Sequence, residues 1–188
     1  MAQFNPHAYG RKFGMLLDTN RCRSLDAGRP VDTMRAPLRE LTVESAFADA
    51  DVSDRDMASC CLAGAWLLYD FLDESHKFSQ GVETPTGSFW HGIMHRREGD
   101  FSNAKYWFNR VGEHEVFKPL AEHAAKIAAD DPQTDALDAF VQGGAWDAAA
   151  FVDLCERVAQ GLPDVRQECE LIQQAEWELL FDHCYRAA

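Results

Sequence analysis

The chain has 188 residues, 46% hydrophobic and 11% aromatic, and a formal net charge of -13. That length fills one core and leaves two full domains cramped, and the apolar content is too high for a disordered chain. A surplus of negative charge repels phosphate backbones and anionic headgroups, which argues against nucleic-acid and membrane-surface partners.

The charge is unevenly spread. Residues 1–55 carry eight Lys/Arg and eight Asp/Glu, whereas residues 113–188 carry five and sixteen. The opening MAQFNPHAYGRKFGMLL has no apolar run of the kind a secretory signal needs, and predicts a cytoplasmic chain. The six cysteines contain no CxxC pair and read as small apolar fillers in a reduced compartment. The apolar run 60–69 covers half a bilayer before meeting Asp70 and Asp73, so it predicts a buried core helix.

In chain order, residues 1–55 are interrupted by Pro6, Pro30 and Pro37 and by Gly10, Gly14 and Gly28. They predict an irregular arm packed on the rest, with a mobile start and a short helical stretch near 37–47. From residue 56 the pattern becomes helical, and 56–188 predicts one helical domain. Ser53 or Asp54 can cap a helix over 56–77. GVETPTG reads as a loop, Ser88 as the cap of a helix ending at Gly99, and Asp100 as the cap of a helix over 101–111. Pro119 suits a first turn, residues 134–141 a short helix, Asp147 a cap, and Pro163 the start of the last helix. No stretch alternates with period two, and the loops are short. The expected fold is an all-α, compact, antiparallel single-domain bundle.

The stretch 88–120, SFWHGIMHRREGDFSNAKYWFNRVGEHEVFKPL, holds three of the seven histidines and two of the five tryptophans. Its part GDFSNAKYWFNRVG resembles the second helix of a tetratricopeptide-like hairpin, with Gly99-Asp100-Phe101 as the turn and Ala104 and Phe108 packing back. Gly92 then falls where the first helix keeps a small residue. No second copy follows at a 34-residue period, so no repeat array is expected. More widely, AGAWLLYDFLDESHKFSQ, TPTGSFWHGIMHRREGDFSNAKYWFNRVG and EWELLFDHCYR resemble an uncharacterised bacterial and fungal protein family. That resemblance implies no activity.

His91, His95 and Glu98 stand at i, i+4 and i+7, within an arc of about 60° on a helix. Two histidines one turn apart can ligate one metal, and a carboxylate can complete the set. Asp73 and His76 offer the same chemistry from the preceding helix, and His114 is a further source. The expected metal set is therefore His91, His95, Glu98, Asp73 and His76, holding a divalent ion. Two readings of the arc conflict. Phe89, Trp90, Ile93 and Met94 define an apolar face that leaves the histidines to one side, solvated. The hairpin analogy instead turns His91 and His95 toward the partner helix, among Trp107 and Phe108.

Arg97 falls within the apolar arc, so it either snorkels or meets a carboxylate, with Asp73, Glu74 and Asp100 as candidates. Lining a pocket, its fork of donors would suit an anionic small molecule. Trp66, Tyr69, Trp90, Tyr106, Trp107 and Phe108 read as core by spacing. Asp182-His183 reads as surface. A P-loop, a dinucleotide-type glycine run and HExxH are all absent.

The favoured functional reading is a small helical enzyme or small-molecule binder. Its pocket would lie between the core helix and the hairpin, with His76, His91, His95 and Arg97 as catalytic candidates. The alternative is a tetratricopeptide-like interaction module whose acidic surface recruits a basic partner. A homo-oligomer packed through its aromatic helices is a third reading. Against the acidic coat, residues 88–112 are locally positive, with Arg96, Arg97, Lys105 and Arg110 facing only Glu98 and Asp100.

Overall fold

Every regular element in the computed structural model, which describes residues 4–130, 144–161 and 164–188, is helical. After a 3-10 turn at Pro6–Tyr9 come α1 (Gly10–Leu17), a second 3-10 turn at Asp32–Met34, α2 (Arg35–Arg39) and α3 (Val43–Ala46). The larger helices follow: α4 (Arg55–Leu68), α5 (Leu72–Ser79), α6 (Pro85–Glu98), α7 (Phe101–Val111), α8 (Phe117–Asp130), α9 (Ala148–Ala159) and α10 (Arg166–Ala187). The chain is an all-α single-domain bundle. The helix expected over 134–141, the role of Pro163 and the mobility of residues 1–3 lie outside the described residues.

One apolar cluster runs through both the N-terminal segment and the later helices. Tyr9 and Phe13 set their rings edge-on against Phe181 of α10, and Phe47 stacks on Tyr185. Residues 60–69 are buried throughout, as their composition requires. Among the described residues no helix is long and apolar enough to cross a membrane.

The single long helix expected over 56–77 is instead two, α4 and α5. The break is at Asp70, which sits in the left-handed region at φ 64°. A non-glycine residue holds that conformation only where tertiary contacts compensate. Here the Asp70 carboxylate accepts from Arg97 Nη2 at 2.6 Å and from the Arg29 backbone N–H at 3.3 Å. Arg97 Nη1 also donates to the carbonyl of Leu67 at 3.0 Å, in the last turn of α4, which accepts from the Asp70 N–H as well. An unbroken helix would carry His76 about 12 Å beyond Leu68 along its axis. The turn sends α5 back across α6 instead, and His76 with it.

α6 begins four residues earlier than the Ser88 cap predicts, with Thr84 as its cap. Thr84 accepts from the Gly87 N–H and Pro85 occupies the first turn, so part of the expected loop is the helix start. Gly87 is required there: an added Cβ would lie 2.1 Å from the Val82 carbonyl oxygen. Gly87→Ala is therefore expected to lower stability by about 1–3 kcal/mol, read as a lower melting temperature. Gly99, at φ 86°, closes α6, and the Asp100 side chain caps α7 through the Asn103 N–H. At Gly92 the two helices approach so closely that a Cβ would lie 3.0 Å from the Phe108 ring.

α6 packs against α4, α5 and α7, and reaches α10 through Trp90 against Trp177. All residues from Thr86 to Arg97 are buried. A helix enclosed on every side has no solvated stripe. That decides between the two readings of the histidine arc: His91 and His95 face neighbouring helices.

Candidate metal centre

His91 is 2% exposed and His95 8%, and His76 of α5 is half-buried beside them. The His76 and His91 rings meet edge-to-face with centroids 4.5 Å apart, and His76 lies 5.5 Å from His95. One turn apart on α6, His91 and His95 stack at 4.8 Å. Each ring offers a ligand nitrogen, and these nitrogens all lie within 4.8 Å of one another. Among the described residues this is the one group of three or more His, Cys, Asp or Glu side chains so placed.

The far side of His91 rests on the Trp107 indole of α7, 3.9 Å between centroids and 15° from parallel. Its Nδ1 is buried with no hydrogen-bond partner. Burial, with His76 and His95 close by, holds His91 down to about 3, so it is a neutral base at neutral pH. Burial also lowers His76. Both are therefore free to donate a lone pair to a cation without first losing a proton.

Of the other expected ligands, Glu98 is exposed and accepts from His95 Nδ1 at 3.0 Å, and Asp73 is exposed on α5; neither belongs to the converging group. Arg97 is not a free anion clamp. Its three nitrogens are engaged by Asp70, Leu67 and the Asp26 carbonyl, the last at 3.2 Å from Nε. Its acidic partner is Asp70, not Asp73, Glu74 or Asp100. By fixing the turn between α4 and α5, Arg97 supports the cluster from outside it.

His114 goes to a different place. Its Nδ1 accepts from the Val116 N–H at 3.2 Å, and its Nε2 is 3.2 Å from the Thr86 hydroxyl. Its ring meets that of His183, 4.9 Å away, and His183 pairs with Glu115. Asp182 accepts from the Tyr9 hydroxyl at 2.9 Å. The Asp182-His183 pair expected at the surface is thus half-buried and bonded. Burial and His183 hold His114 down to about 4, against 6.5 when free. A depressed folded-state value means stability that is complete above about pH 6.5 and lost as pH falls toward 4. The melting temperature should therefore drop across that window. His114→Asn, whose side-chain oxygen still accepts from Val116, should flatten the drop, with His91 keeping part of it.

Sequence reasoning missed the buried pair Arg96–Glu176, 1% and 0% exposed. Arg96 donates from both terminal nitrogens to Glu176 and from Nη2 to Gln173. Gln173 donates in turn to the carbonyls of Arg23 and Ser24. The signal was present in α10. Glu176 lies four residues after Ile172 and four before Leu180, on an apolar stripe where a carboxylate needs a buried cation.

Comparison with known family models, curated proteins and solved structures gives no match.

Proposed function

We propose that the protein is a helical metalloprotein that binds one divalent ion, of the zinc class, through His76, His91 and His95. The observation that carries this reading is the convergence of three imidazoles from two helices, their nitrogens within 4.8 Å. Zinc takes imidazole nitrogen at about 2.0–2.1 Å in a tetrahedral set, so two ligands of one ion stand about 3.4 Å apart. The widest pair must close by about 1.4 Å, and half-buried His76 is the member with room to move. The orphaned Nδ1 of His91 is the buried polar atom such an ion would satisfy.

Three neutral nitrogens leave a zinc ion's fourth position open, and there it would activate water or polarise an oxygen of a bound substrate. An anionic small molecule is the expected occupant. Arg110, its guanidinium 5.4 Å from the centre of the Trp107 ring, would hold it in place of Arg97. A reducing compartment suits the six free cysteines. The alternative, an interaction module, draws on the acidic charge after residue 112.

Untagged protein, stripped with chelator and dialysed against zinc, should retain about one equivalent. His91→Ala and His95→Ala should retain almost none. Substoichiometric metal, unchanged in either variant, would remove the proposal.

A further inference from the structure

The carboxylate flanking the cluster carries an inference that rests on the metal reading but is testable without metal. A neutral imidazole has one ring proton, and which nitrogen carries it decides which can ligate. His95 is contacted at both. Its Nδ1 lies 3.0 Å from a Glu98 carboxylate oxygen, while the Asn103 amide nitrogen lies against the ring, 3.1 Å from Nε2 and 3.5 Å from Nδ1. A carboxylate only accepts, so the Nδ1 carries the proton. A neutral ring has only that one proton, so the Nε2 is bare. Glu98 reaches the ring from the next turn of α6, and Asn103 from the facing helix α7.

We infer that Glu98 is a tautomer clamp on His95, which keeps its Nε2 lone pair ready for the ion. Glu98 is then a positioning residue and not a ligand. A carboxylate on the distal nitrogen of a ligating histidine fixes the ring and raises its basicity. His91 has no such clamp, because its Nδ1 has no partner at all. His95 is thus the pre-set ligand of the three.

The test uses the full-length, metal-stripped chain, labelled with 15N, at a single alkaline pH. Imidazole 15N shifts should show His95 protonated at Nδ1 and bare at Nε2. Glu98→Ala should move the proton to Nε2, while Glu98→Gln, whose carbonyl still accepts, should retain the native tautomer. In a zinc titration Glu98→Ala should bind about 10–100-fold more weakly. Glu98 is exposed, so these variants leave the core intact. A His95 proton on Nε2 in the native chain, a tautomer indifferent to Glu98→Ala, or full zinc affinity in that variant would each overturn the clamp. A native chain with the expected tautomer that binds no zinc would overturn the metal reading and leave the clamp standing.

Discussion

Glu176→Ala is expected to destabilise the fold by about 3–5 kcal/mol, because it strands a guanidinium in the core. Arg96 is 1% exposed and no water can reach it. Its ring neighbours are Phe151, 4.7 Å from the guanidinium carbon, and Phe108 at 5.9 Å, and a cation on a ring face recovers only part of the lost pairing. Gln173 still accepts one bond, which leaves a full charge against one neutral partner. For a domain of this size each kcal/mol moves the melting temperature by about 2–4 °C, so the loss should be roughly 6–20 °C. The double variant Arg96→Met/Glu176→Leu removes both charges together and should lose markedly less. Equal losses in the single and double variants would show that shape, not charge, holds α6 to α10.

Zinc should raise the melting temperature of the metal-stripped protein. A ligand that binds the folded state alone stabilises it by about 2.7 kcal/mol at a hundred times its dissociation constant. By the same conversion that is roughly 5–11 °C. The gain should vanish in His91→Ala and in His95→Ala. His91→Ala also removes the ring stacked on Trp107, so its baseline melting temperature should fall as well. The zinc-dependent increment, and not the baseline, is therefore the quantity to compare. A gain that survives in both variants would place the metal elsewhere on the acidic surface.

Much of the architecture was legible in local signals. Asp100 and Asp147 cap the helices they were expected to cap, and Gly99 ends α6 in a left-handed conformation. The break at Asp70 was not legible, because nothing local demands it; it exists through Arg97 and Arg29, remote in sequence. The start of α6 was masked by Gly81, Pro85 and Gly87, which look like a loop. Pro85 is in fact a helix-opening residue, and Gly87 is small because the Val82 carbonyl lies against it.

At the site, spacing brought His91 and His95 together, and their neighbourhood in sequence brought in His76. What spacing could not supply was their burial. An amphipathic reading assumes that a helix has an outside, and α6 has almost none. The same assumption hid Arg96, and it left Glu98 as a candidate ligand when its carboxylate is spent on the back of His95.

The central claim, that His76, His91 and His95 take one ion between them, is tested most directly by cobalt(II) as a spectroscopic stand-in for zinc. Added to metal-stripped, untagged protein, it should saturate at one equivalent. The visible absorption should become that of a low-coordinate imidazole site, far stronger than that of the hydrated ion. His91→Ala should abolish this spectrum. A weak, hydrated-ion spectrum in the native chain, or an unchanged strong one in His91→Ala, would contradict it.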